Sequence, residues 1–220
     1  MGFTLKTYTD FALDRMQYGQ PSKKHAKKLA KGPKLDKIQL DWTHVPSKMH
    51  PVTSSGITRA ELICQANDIS AMSEDEQEAI RNKHDEDFLW HFEDYCKQND
   101  LDYDEEYYRQ LVKEAKYIIL AIKYKFNRPR PYQAAPVLGI DLNVSQTPTA
   151  SSPSYPSGHS AQSSLVANVL SKLYPEHTQA FEDIADQVSY SRYIGGLHYK
   201  SDLEYGKEVG AFIANHTIKP

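Results

Sequence analysis

The chain has 220 residues, 40% of them hydrophobic and 25% charged, with a formal net charge of −3. That composition fits one ordinary globular domain, or a domain carrying an arm. It gives no overall field that would draw nucleic acid or a membrane, and no run of 18 apolar residues that would span a bilayer.

Residues 1 to 56 form a Lys- and Pro-rich arm in this reading. Seven lysines fall between Ser22 and Lys37 (Lys23, Lys24, Lys27, Lys28, Lys31, Lys34 and Lys37). A run of this kind is usually a solvated surface segment. It is also a candidate patch for a polyanion or an anionic substrate. It lacks interleaved aromatics, which argues against nucleic acid as a partner. The N-terminus shows no basic leader followed by an apolar stretch, so the sequence as it stands predicts a soluble, cytoplasmic protein. A periplasmic or secreted protein would require that a signal peptide had been removed.

Residues 57 to 220 read as a helical domain. Thr58 and Glu61 have capping-box spacing ahead of Leu62, Ile63, Ala66 and Ile69. Ser73 and Glu76 repeat it and open a long polar helix toward Cys96. His84, Asp87, His91 and Asp94 on that helix read as a charged solvated face rather than a metal site. A third helix runs from about Asp104 to Phe126, with Leu111, Ala115, Ile118, Ile119 and Ile122 on one stripe. Six prolines between Pro129 and Pro156 then predict a loop of nearly thirty residues, a length that is usually functional or disordered. Helices resume at about Gly158, at Glu176 to Tyr193, and at Lys200 to Asn215. No strand pattern occurs, so the predicted architecture is an all-α helical bundle. Cys64 and Cys96 both lie in helical, apolar surroundings, which favours two buried reduced thiols, and sequence alone leaves their pairing open. No zinc-type Cys/His spacing is present.

Three short clusters carry chemistry. Lys123 sits one turn after Ile119 at the core-facing edge of its helix, where an ammonium is desolvated unless an anion meets it. Arg128 and Arg130 follow, held between prolines, and a guanidinium suits bidentate contact with phosphate. Of the two, Arg130 is the expected ligand and Arg128 the solvated one. Ser157-Gly158-His159 opens a helix, where a glycine and free N–H groups favour an anion. Arg192 and His198 flank Gly195-Gly196, a turn able to bring both to one point. His198 and Asp202 are four residues apart, so the carboxylate can take one ring N–H and leave the other nitrogen as a nucleophile. Each feature alone has a bland reading as a cap or a surface residue. Together they do not, since one four-residue pattern arises by chance in roughly one chain in a thousand.

Lys123-x6-Arg130-Pro131, Pro156-Ser157-Gly158-His159 and Ser191-Arg192-x5-His198-x3-Asp202 resemble the three-part signature of the type 2 phosphatidic acid phosphatase (PAP2) superfamily. That superfamily includes class A acid phosphatases, membrane lipid phosphatases and vanadium haloperoxidases. The resemblance covers residues 123 to 202 and implies an α-helical fold with a phosphatase site. It implies that His198 becomes phosphohistidine, Asp202 orients it, and His159 serves as general acid and then base. It implies that Lys123, Arg130, Arg192, Ser157 and the Gly158 amide hold the phosphoryl oxygens, with no metal and no cofactor. The expected function is a metal-independent phosphomonoesterase acting on a phosphate ester. One alternative is a vanadium haloperoxidase, with vanadate in the same pocket. Another is a polyanion-binding protein using the Lys-rich arm. A homodimer is expected on base rate alone.

Overall fold

The structure, a computed structural model, describes residues 12–84, 87–144 and 150–218, without the side chains of 81–84. The first eleven residues of the expected arm, and residues 145–149 of the expected loop, lie outside the described residues. So does the side chain of His84.

The helices are α1 (Lys23–Lys31), α2 (Gly56–Ser70), α3 (Glu74–His84), α4 (Leu89–Gln98), α5 (Glu105–Phe126), α6 (Pro131–Val137), α7 (Gly158–Leu173), α8 (Thr178–Ile194) and α9 (Lys200–Ala214). Among the described residues there is no strand, only an isolated antiparallel bridge between Ile38 and Thr217. The all-α expectation holds.

α5 is the long rail of the fold, ~33 Å from end to end at 1.5 Å per residue. Asp104 starts it by accepting from the Tyr107 N–H at 2.9 Å. Its apolar stripe, Leu111, Ala115, Ile118, Ile119 and Ile122, is buried as its spacing predicts. α7 lies at the centre, with residues from Ser160 to Ala167 all buried and packed between α5, α8 and α9. α9 approaches α7 very closely. A Cβ on Gly206 would stand 2.9 Å from the Ser157 carbonyl oxygen, and one on Gly210 would strike the Ala161 carbonyl. Two glycines one turn apart thus let the helix backbones meet. The Ser157 N–H donates to the Asp202 carbonyl at 2.9 Å, tying the starts of the two helices together.

Several expectations need correction. Ser55, not Thr58, caps α2, accepting from the Thr58 N–H at 3.1 Å. Glu61 is then released from capping and turns toward Arg128 and Ser201. The long polar helix is two helices, because its halves bury different faces. α3 packs on α8, while Leu89, Phe92 and Cys96 of α4 enter the core beside α5 and α8. The Pro-rich stretch is not loop throughout. Pro131 occupies the first turn of α6, where its missing N–H costs nothing, and Ala134, Ala135 and Leu138 pack with Leu13, Leu62 and Tyr199. Cys96 is buried, but Cys64 is exposed, since Leu62, Gln65 and Ile69 take the inward face of α2; both thiols are free.

The segment after α1 is stitched to the domain. Glu114, 3% exposed, accepts from the N–H groups of Asp36, Lys37 and Ile38 at 2.9–3.1 Å. Gln39 N–H donates to the His216 carbonyl, and Ile218 N–H to the Lys37 carbonyl, both at 2.8 Å.

Candidate active site

The end of α5 delivers Lys123. Asn127, at φ 51°, closes the helix in the left-handed conformation, its N–H bonded to the Lys123 carbonyl at 2.8 Å. The chain then reverses through Arg128 and Arg130 into α6. Lys123 is 5% exposed, and its Nζ donates to the Pro153 and Ser154 carbonyls at 2.7 and 3.3 Å. Burial, then the nearby Arg130 and Arg192 guanidinium groups, hold its ammonium well below the usual lysine range.

Arg130 is fixed by three contacts. Its Nε donates to the Ser152 carbonyl at 2.8 Å, and its Nη1 donates to the Leu197 carbonyl at 3.0 Å and meets His198 Nε2 at 3.3 Å. Burial pulls its pKa down to about 10, so the group stays charged at neutral pH. Arginine has no acceptor, so this contact requires a lone pair on Nε2. The His198 proton then sits on Nδ1, which donates to Asp202 Oδ2 at 3.3 Å. Burial and the surrounding cations keep the imidazole well below the usual histidine range, hence neutral.

Asp202 is a node. Its Oδ2 accepts from the Tyr199 N–H at 2.9 Å and from Ser154 Oγ as well as from His198. Its Oδ1 accepts from Arg128 Nη1 at 2.6 Å. Burial pushes its carboxyl up, but Arg128, His198 and Ser154 outweigh burial and hold it well below the carboxylate range.

Arg128 is therefore not the solvated member of its pair. It is 2% exposed, its guanidinium carbon lies 3.8 Å over the Tyr199 ring, and Nη2 reaches Glu61 at 3.1 Å. Carboxylates on two sides and an aromatic face draw it inward, behind Asp202.

The N-terminus of α7 supplies the opposite wall. Ser157 caps it, accepting from Ser160 N–H at 3.3 Å and Ser160 Oγ at 2.9 Å. Its hydroxyl is fully buried and does not line the cavity, so the expectation of direct contact with an anion is not met in this geometry. Gly158 does line the cavity, and a Cβ there would point at Lys123 Cε, 3.7 Å away. His159 also lines it, its ring edge-on to Phe88 at 6.1 Å. Arg192 arrives from the last turn of α8, where Gly196 (φ 66°) turns the chain and leads into His198. A Cβ on Gly196 would lie 2.8 Å from the Asn143 carbonyl oxygen.

Lys123, Arg130, Arg192, Gly158, His159 and His198 thus share one cavity of about 770 Å³. Two guanidinium groups, the Lys123 side chain and a helix N-terminus surround an unprotonated imidazole nitrogen, an arrangement suited to an anion. Sequence reasoning missed Ser154, Glu61 and Gln65. Gln65 Nε2 donates to the Tyr193 and His198 carbonyls at 2.7 and 2.9 Å, holding the turn from below. Only the capping-box spacing marked Glu61, and nothing local marked the other two. Reasoning from the sequence also did not place Lys24, Lys28, Lys113 and Lys116 on the same cavity.

Among the described residues no helix is long and apolar enough to cross a membrane. Residues 114–219 match the family model of the PAP2 superfamily. A non-specific acid phosphatase of Salmonella typhi is 47% identical over 58 residues, which is 26% of this chain and 23% of that protein. A non-specific acid phosphatase of Salmonella typhimurium (strain LT2) is 45% identical over 58 residues, with the same shares. The matched stretch therefore spans about a quarter of the length of these relatives.

Proposed function

From the match of residues 114–219 to the PAP2 superfamily model and from the cavity's geometry, we propose that the protein is a PAP2-type phosphatase that hydrolyses phosphate monoesters through a phosphohistidine on His198. The observation that carries the proposal is the pairing at His198. Nδ1 is committed to Asp202 and Nε2 presents its lone pair beside Arg130, in a cavity lined by Lys123, Arg130 and Arg192.

The chemistry follows from these placements. His198 Nε2 attacks phosphorus, and the bond from phosphorus to the leaving oxygen breaks. His159 gives that oxygen its proton. Asp202 stabilises the charge that develops on the His198 ring. Lys123, Arg130, Arg192 and the Gly158 N–H hold the three other phosphoryl oxygens, where charge builds in the transition state. In the second half, His159 takes a proton from water, the water oxygen bonds to phosphorus, and the N–P bond electrons return to Nε2. Three protein cations serve where other phosphatases use a metal ion, so the proposal includes metal independence.

The deciding assay is p-nitrophenol release from p-nitrophenyl phosphate across pH 4 to 9 in EDTA, with and without vanadate. Turnover that survives EDTA and stops with vanadate supports the proposal. Absence of turnover, with halide- and peroxide-dependent bromination after vanadate loading, overturns it in favour of a haloperoxidase.

A further inference from the structure

The cavity does not end at the phosphoryl pocket. α5 forms one of its walls, through Val112, Lys113, Lys116, Ile119, Leu120 and Lys123. The facing wall is α1, which contributes Lys24, His25 and Lys28. α1 is anchored there by the Tyr117 hydroxyl donating to the Leu29 carbonyl at 3.2 Å, and by His25 Nδ1 with the Tyr124 hydroxyl at 2.9 Å.

The four outer lysines have few local acids to meet. Asp87 lines the same cavity but is engaged by Arg109 at 2.9 Å. Glu114, next to Lys113 in sequence, is buried and spent on the backbone of residues 36–38. Among the described residues no ion pair involves Lys24, Lys28, Lys113 or Lys116. Lys24, Lys113 and Lys116 are exposed and Lys28 is half-buried. In a chain of net charge −3, four cations gathered without a counter-charge form a local field that an anion relieves. In agreement, burial and then Lys116, Lys24 and Lys113 lower the Lys28 ammonium below its ordinary range.

Spacing sets the ligand's shape. Lys116 and Lys113 precede Lys123 by seven and ten residues on one helix, ~10 and ~15 Å along its axis. Neighbouring phosphates of a diphosphate are too close together to serve both ends. We infer that Lys24, Lys28, Lys113 and Lys116 form a second anion subsite that takes the distal phosphate of a substrate bearing two phosphates on opposite ends of a spacer, such as a sugar bisphosphate. This inference rests on the reading of the His198 end as the phosphoryl site.

Two measurements test it on the full chain. The first is kcat/KM for fructose 1,6-bisphosphate against fructose 1-phosphate, with p-nitrophenyl phosphate as a one-anion reference. The wild-type protein is expected to prefer the bisphosphate at least roughly tenfold, as a charge-assisted contact allows. The Lys113→Ala/Lys116→Ala and Lys24→Ala/Lys28→Ala proteins should lose most of that preference. Raising salt should erode it too, because three of the four cations are exposed. The second is calorimetric binding of the same two sugars, which does not depend on turnover. Turnover of p-nitrophenyl phosphate with no preference between the sugars overturns the second subsite and leaves the phosphatase reading standing. No turnover of any ester, with tighter binding of the bisphosphate that the Lys variants abolish, overturns the phosphatase reading and leaves the subsite standing. Equal binding of both sugars, or a preference the Lys variants retain, overturns the subsite.

Discussion

Arg128 and Asp202 form an ion pair of 2.6 Å in which both side chains are all but inaccessible, at 1% and 0% exposure. The pair stands directly behind His198, with Asp202 touching both. Taking one member of a buried pair away leaves the other charge uncompensated, at a cost of about 3–5 kcal/mol. Arg128→Ala should therefore lower unfolding free energy by about that amount in urea titrations. Arg128→Lys should recover little, since a lysine cannot reach Asp202, Ser201 and Glu61 together as the guanidinium fork does.

The two histidines should separate by leaving group. His198→Ala should reduce turnover of every ester to background while leaving phosphate binding measurable. His159→Ala should spare p-nitrophenyl phosphate, whose leaving group needs little protonation, and slow alkyl phosphates by roughly a hundredfold or more. The ratio of the two rates is the readout. An equal loss on both substrates would remove the general-acid role of His159.

Stability should fall as pH drops, in two stages. The folded-state pKa of His198 lies below its unfolded value, so the unfolded chain binds the extra proton first. Its contribution is complete above about pH 6.5 and is lost as pH falls toward the folded value. Asp202 behaves alike at a lower window, with stabilisation complete above about pH 4 and lost below it. Melting temperatures at pH 7.5, 5.5 and 4 should decline in that order. In His198→Asn, the step between 7.5 and 5.5 should shrink.

Anion binding should take up protons. Burial, then Arg130 and Arg192, suppress the Lys123 charge, and a bound phosphate dianion reverses that pressure. Calorimetry of phosphate binding at about pH 8, in buffers of different ionisation enthalpy, should show net uptake in the wild type. Lys123→Met should reduce it.

Gly206→Ala is a small change with a large expected effect. The new methyl would face the Ser157 carbonyl at 2.9 Å, with the Ser160 Cβ equally near. Overpacking of this kind costs about 1–3 kcal/mol. It also shifts α9 against α7, which carry His198's partner and His159, so kcat should fall together with the melting temperature.

The helices most visible in the sequence were those with one clear partner. α5 has a single buried stripe and an Asp cap, so its pattern and its fold agree. The signature residues were legible because their types and spacing are unusual, and six of the eight meet at one cavity. Of the other two, Asp202 stands behind His198 and Ser157 caps α7. The break between α3 and α4 was hidden because it follows from two separate packing partners, which no local periodicity records. Arg128 was misjudged for a related reason. Its inward position depends on Glu61 and Asp202, which lie 67 and 74 residues away along the chain. The lysines of the N-terminal arm read first as a solvated segment because sequence shows charge density and not the helix that α1 faces.

The clasp between residues 37–39 and 216–218 has a bearing on how the molecule is made. During synthesis the lysines of α1 leave the ribosome before α5, which supplies Glu114 for the strap that follows them, and the strap's bonds to His216 and Ile218 form only later still. The Tyr107 hydroxyl, which donates to the Ile218 carbonyl at 2.6 Å, waits for the same event. The basic wall of the cavity is thus made before the partners that hold it, first those on α5 and then those at residues 216–218.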